Sequence, residues 1–168
     1  MTLSELNALD EKGFVDALGG VFEHSPWIAA VAWKERPFDS PSDLHNAFMQ
    51  VVADAGDDAQ IALIDAHPDL AGKLALSRGL TAASQREQAS AGLDALSPEE
   101  FERFHAHNNA YRSRFGMPFI ICVRLNTKET ILAEFERRLL CEPAAERQEA
   151  LRQIGLIAQL RLTELLDP

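Results

Sequence analysis

His67 stands in the run Ile61-Ala62-Leu63-Ile64-Asp65-Ala66-His67-Pro68-Asp69-Leu70, directly before a proline. Pro68 bars His67 from helical geometry. The spacing therefore predicts a helix ending near Ala66 and a second opening with His67 at its N-cap, Pro68 at N1 and Asp69 at N2. An imidazole at such a junction lies beside unsatisfied N–H groups and the positive end of a helix dipole. That setting favours its neutral form and lets it take or give a proton near pH 7. A partly buried junction histidine bonded to backbone has the same spacing, and both readings stand open.

Ser84, Glu87 and Gln88 fall at i, i+3 and i+4 of one stretch and share a helical face. Together they offer a hydroxyl, a carboxylate and an amide, a set suited to a ring rich in N–H and C=O groups, since Gln88 donates and accepts while Glu87 accepts only. Ser84-x-x-Glu87 also has the spacing of a capping box, an alternative that leaves Gln88 unexplained. Asn108 sits in phase between Phe104 and Tyr111 on an apolar stripe, so at least half of it is expected to be buried. It either fixes helix register or supports a ligand site. Arg161, within Leu160-Arg161-Leu162, is a surface cation near a helix C-terminus or, if turned inward, an anchor for an anion.

Other chemistries find little footing. His24, His45, His105 and His107 form no H-x-x-x-H pair and no Cys/His cluster with zinc spacing, so no metal site is expected. Signatures for dinucleotides, nucleoside triphosphates and a hydrolase nucleophile are missing. Lys73 after Gly72 lacks the earlier glycines of a phosphate loop and reads as a solvated lysine on a short helix.

The elements that must position these residues are helices. Asp10 precedes Phe14, Leu18, Val21 and Phe22; Ser40-Pro41 with Asp43 marks a second start. Ser97-Pro98-Glu99-Glu100 combines capping-box spacing with Pro at N1, and the apolar phase of Phe101, Phe104, Tyr111 and Phe115 runs to a stop at Gly116. Thr127 caps a helix carrying Ile131, Leu132, Phe135, Leu139 and Leu140. Pro143 opens a last one carrying Leu151, Ile154, Ile157, Ala158, Leu162 and Leu165. Only Phe119-Ile120-Ile121-Cys122-Val123 looks extended, and its brevity after Met117-Pro118 suggests a buried connector. The expected fold is all-α, a single compact bundle of about seven to nine helices with a short extended connector near residues 117–124.

Length and charge bound the rest. The 168 residues, 46% hydrophobic and 25% charged, fit one domain spanning 1–168. The net charge is −10, from 16 Lys+Arg against 26 Asp+Glu, and would repel a phosphate backbone. No nucleic-acid partner is expected, although one arginine facing a pocket still suffices for a small anion. Cys122 and Cys141 make no C-x-x-C pair and read as reduced. No apolar run approaches the roughly 18 residues of a membrane span, and no secretory leader is evident at Met1. The terminal Leu166-Asp167-Pro168 lacks a peroxisomal tripeptide, so the expected compartment is the cytoplasm.

Four blocks, taken in order, resemble one family. They are His67-Pro68-Asp69-Leu70-Ala71-Gly72-Lys73; Ser84 through Glu87-Gln88 with Ala91-Gly92-Leu93; Asn108-Asn109-Ala110-Tyr111 leading to Arg114-Phe115-Gly116-Met117-Pro118-Phe119-Ile120; and Leu160-Arg161-Leu162. The sequence is similar, from about Phe14 to Leu166, to the decarboxylases of 2-oxo-4-hydroxy-4-carboxy-5-ureidoimidazoline (OHCU). The resemblance implies an all-α homodimer without metal or organic cofactor that takes a small-molecule substrate, OHCU, to (S)-allantoin at the last step of urate breakdown. It implies His67 as acid/base and Glu87 as its partner at the reacting carbon, with Ser84 and Gln88 on the ureido and ring groups. Pro68 through its backbone, and Phe119, Ile120, Ile121, Cys122 and Val123, would line the ring site, with Arg161 as anion anchor. Two rivals are a helical ligand-binding or protein-interaction module without catalysis, which would tolerate changes at His67, and a metal-dependent hydrolase, which a chelator would stop.

Overall fold

Residues 1–71 and 80–166 are described by a computed structural model. The reading of Lys73 lies outside them. Among the described residues there are nine α-helices and no strand: α1 (Leu3–Asn7), α2 (Glu11–Leu18), α3 (Trp27–Ala32), α4 (Pro41–Asp54), α5 (Gly56–Asp65), α6 (Ala82–Ser90), α7 (Pro98–Phe115), α8 (Lys128–Arg138) and α9 (Pro143–Leu165). Two 3₁₀ turns, Trp33–Glu35 and Val123–Leu125, complete the elements. The all-α expectation is met.

Helix starts follow the side chains that satisfy the first N–H groups. Asp10, Ser40, Ser97 and Thr127 each accept from the N–H three residues on. In the Ser97 box the N–H of Glu100 donates to Ser97 Oγ at 3.1 Å and the N–H of Ser97 to Glu100 Oε2 at 2.9 Å. Gly116 ends α7 at φ +71°, where a Cβ would be strained. Two stripes run past their helices. Gly19-Gly20 end α2 before Val21 and Phe22, which still reach the core, and α8 stops at Arg138, leaving Leu140 83% exposed.

The chain divides into two compact units. The first joins residues 1–66 to the part of α9 from Ile154 on. In it α3 packs on α2 and α4, and α4 on α5. Phe14, Leu18, Phe22, Ile28, Leu44 and Phe48 are its buried apolar residues, with the rings of Phe22 and Phe48 edge to face at 5.5 Å. His45 Nε2 lies 2.9 Å from Gly155 O, and a Cβ at Gly155 would come within 3.1 Å of the Met49 side chain, which would have to shift by a few tenths of an ångström to admit it.

The second unit, His67–Gln153, holds α6, α7, α8 and the first part of α9. Its centre is aromatic. Phe135 stacks on Phe119 at 3.7 Å, and Tyr111 meets Phe119 edge to face at 5.2 Å. Around them lies a polar network: Arg138 is fully buried, pairs with buried Glu146, and rests its guanidinium over the Phe119 ring at 4.4 Å. Tyr111 Oη donates to Glu146 Oε1 at 2.8 Å, and burial, ahead of every other cause, pushes the Tyr111 phenol far up.

Candidate functional site

His67 is buried and opens the second unit, just after α5 and its C-cap Ala66. The N-cap expectation is corrected here: residues 67–69 are irregular and 70–71 form a turn, so Pro68 is not the first residue of a helix. His67 lies in a bend outside any helix, and Ala71 takes φ +54°, a left-handed value that helical residues do not adopt. His67 therefore does not sit at the N-cap of a helix whose dipole would bear on its imidazole.

Side chains of α6 and α7 hold this turn instead. Gln88 Oε1 accepts from the N–H of Ala71 at 3.1 Å, Asn108 Nδ2 donates to Leu70 O at 2.8 Å, and Arg112 Nε donates to both carboxylate oxygens of Asp69 at 2.9 and 3.1 Å. Asn108 is only 6% exposed, which exceeds the half-burial read from its phase.

Thr81, not Ser84, caps α6, accepting from the N–H of Ser84 at 3.2 Å. This removes the capping-box account of Ser84 and Glu87: Ser84 is at N3, buried, and Glu87 and Gln88 lie further along the helix, half-buried. Helix α6 packs on the Val123–Leu125 turn. Burial pushes the Cys122 thiol up, the N–H of Leu125 pulls it down, and the negative charge of Glu87 raises it again. Glu87 is therefore close enough to Cys122 for its charge to be felt there.

The connector is buried from Met117 to Val123, yet it forms no ladder, so side chains must satisfy its backbone. Arg138 Nη1 donates to Ile120 O at 2.6 Å, the N–H of Cys122 donates to Gln153 Oε1 at 2.9 Å, and Asn126 Nδ2 donates to Cys122 O at 2.9 Å. The Phe119 ring is committed to the aromatic core.

The structure thus links the His67–Ala71 turn, the α6 face and the connector within the second unit. Arg161 belongs to the first unit. Buried there, it donates to Val21 O at 3.1 Å and pairs with buried Glu23 at 3.3 Å, in place of the surface position that was its plainer reading. A cleft of 830 Å³ runs beside α6, lined by Ala71, Leu80, Gln88, Leu93 and Phe101 among others; of the candidate residues it includes Gln88. Among the described residues no three His, Cys, Asp or Glu side chains gather as metal ligands, and no helix is long and apolar enough to cross a membrane.

Arg112, Arg138, Glu146 and Gln153 were missed. For three of them a signal existed, the one that marked Asn108. Arg138 continues the buried phase of Ile131 and Phe135, while Glu146 and Gln153 flank Ala150 on that of α9.

The described residues thus form an all-α protein in which a buried histidine turn, a carboxylate- and amide-bearing helix and a buried connector share one unit. The chain belongs to the OHCU decarboxylase family, which it matches over residues 7–163. It is 43% identical over 168 residues to the 2-oxo-4-hydroxy-4-carboxy-5-ureidoimidazoline decarboxylase of Halalkalicoccus jeotgali, covering 100% of this chain and 93% of that protein. It is 41% identical over 165 residues to the uric acid degradation bifunctional protein PucL of Bacillus subtilis, covering 98% of this chain and 33% of that one. Among solved structures, the crystal structure of an (S)-allantoin synthase superposes with a TM-score of 0.81 at 31% identity, over 99% of this chain and 55% of that one.

Proposed function

We propose that this protein decarboxylates OHCU to (S)-allantoin, the closing step of urate degradation, as a single domain spanning 1–168 that works as a cytoplasmic homodimer. Family membership supports the substrate. The observation that carries the site is the hydrogen bond from the Ala71 N–H to Gln88 Oε1, which ties the histidine turn to the helix bearing Ser84 and Glu87.

Loss of CO₂ breaks the bond between the carboxylate and the hydroxyl-bearing carbon, and the electron pair needs a destination. The ring C=N of the substrate is attached to that carbon and takes the pair, giving an enol as the ring nitrogen gains a proton. A proton then adds to the ureido-bearing carbon while the hydroxyl gives up its own, leaving allantoin. The substrate supplies the electron sink, so the scheme assigns no metal or organic cofactor. The protein's share is orientation, exclusion of water and delivery of the proton to one face.

In this scheme His67 moves the hydroxyl or carbon proton and Glu87 polarises the hydroxyl. Ser84 holds polar groups of the ureido arm. Gln88, with its oxygen occupied by Ala71, offers its Nε2 donors to a carbonyl. Pro68 and Phe119 to Val123 bound the ring through backbone. Arg161 is proposed as an anion anchor on the family resemblance alone. A tight grip on the departing carboxylate would favour the ground state, so its natural target is charge growing on the ureido or ring oxygens.

The test adds the protein to freshly generated OHCU and follows the circular dichroism of (S)-allantoin. His67→Ala and Glu87→Ala are each expected to lower kcat by ~10²–10⁴-fold with the helical spectrum unchanged. Full rate enhancement in both folded variants, or loss of activity to a chelator, would overturn the scheme.

A further inference from the structure

The turn that carries His67 is an unusual object: irregular, buried at His67 and Leu70, and left-handed at Ala71. A non-glycine residue at positive φ persists only where its surroundings over-determine it. Among the described side chains that bond to this turn, Gln88 belongs to the proposed substrate set, and the Arg112–Asp69 pair is substantially exposed and screened by solvent. Asn108 is neither. Its bond to Leu70 O is buried and joins the middle of α7 to the turn three residues after His67.

Asn108 also carries an oddity that packing does not explain. Its Oδ1 is buried and has no hydrogen-bond partner among the described residues. An acceptor left unsatisfied inside the protein is a cost to the folded state, which the Nδ2 bond to Leu70 O sets against a gain in fixing the turn. An amide at this point of an otherwise apolar stripe, between Phe104 and Tyr111, gives α7 a buried bond to the turn, where its other link, Arg112 to Asp69, is partly exposed.

We propose that Asn108 is a positioning residue for the reaction. By holding the Leu70 carbonyl to α7 it sets the backbone of the 67–71 turn, and with it the place from which the His67 imidazole delivers its proton. This rests on the decarboxylase reading above.

The experiment measures Asn108→Leu, which fills the site without a donor, and Asn108→Ser, which is too short to reach Leu70 O and keeps the chain folded if the larger side chain does not fit. Arg112→Gln serves as the comparison. For each, kcat and KM are referred to folded protein, the enantiomeric excess of the allantoin is read after subtracting the spontaneous reaction, and the His67 ring signals are followed by NMR with ¹⁵N-histidine. The Asn108 variants are expected to lose at least tenfold in kcat with KM within threefold, to lower the enantiomeric excess, and to shift the His67 signals while those of His24 and His45 stay put. Arg112→Gln is expected to change kcat less than threefold. Wild-type kcat, enantiomeric excess and His67 signals in a folded Asn108 variant would overturn the positioning role. An inactive wild type would instead sink the decarboxylase reading, and the His67 signals would still report whether Asn108 sets the turn.

Discussion

At the scale of single residues, the neighbourhood of Glu87 and Cys122 is testable without turnover. Burial comes first in raising the Cys122 thiol and the Glu87 carboxylate adds to it, whereas Cys141 is partly exposed. In a Cys141→Ser background, Glu87→Gln removes one negative charge from beside the thiol, so Cys122 is expected to titrate lower. The pH dependence of its alkylation by a small neutral reagent reads this directly, and an unchanged midpoint would mean that Glu87 does not face Cys122. Ser84 shows how such a neighbourhood is misread from spacing. Its distance to Glu87 suits a capping box, yet Thr81, three residues earlier, does the capping, and Ser84 stays inside the helix.

Among the elements, the connector depends on its neighbours more than any helix does. Arg138 binds Ile120 O and is neutralised by Glu146, which also accepts from Tyr111. Breaking such a pair from one side leaves a buried charge, so Glu146→Leu is expected to cost ~3–5 kcal/mol in urea unfolding, and Arg138→Met with Glu146→Leu together much less. Equal losses in the single and double variants would show that the pair is not the source of the stability. The helices themselves were legible because their signals are local: the Ser97 box, the Thr127 cap and Gly116 are each written within four residues. The His67 junction was only half legible. Pro68 announces a break, but the left-handed turn at Ala71 depends on Gln88 and Asn108, 17 and 38 residues from their partners, and no local pattern records such bonds. The position of Arg161 was hidden for the same reason, since Glu23 lies 138 residues away.

For the whole molecule, the acid side of the pH range is where the 26 carboxylates act together. The Arg152 guanidinium, chief among several causes, lowers Glu149 from its ordinary 4.5 to about 2, and Arg137 lowers Glu134. A depressed carboxylate contributes fully above its unfolded value and loses that contribution as the pH falls through its folded value. Stability is therefore expected to decline between pH 4.5 and about 2, while the net charge, which is −10 at pH 7 with His neutral, climbs toward +21 once the carboxylates are protonated and the 16 Lys+Arg and 5 His are all charged. Thermal midpoints across that range check it. Glu149→Gln should flatten part of the slope, by less than ~1 kcal/mol because the pair is partly exposed.

The connector has one more consequence. Phe119-Ile120-Ile121-Cys122-Val123 is an uncharged, largely β-branched pentapeptide of the kind that stacks into cross-β fibrils when it meets copies of itself. In the native protein its side chains are buried, and Arg138, Gln153 and Asn126 occupy backbone groups that a neighbouring strand would otherwise engage. The same side chains that hold the connector thereby act as a guard against self-association, and every excursion that releases them exposes the stretch to aggregation.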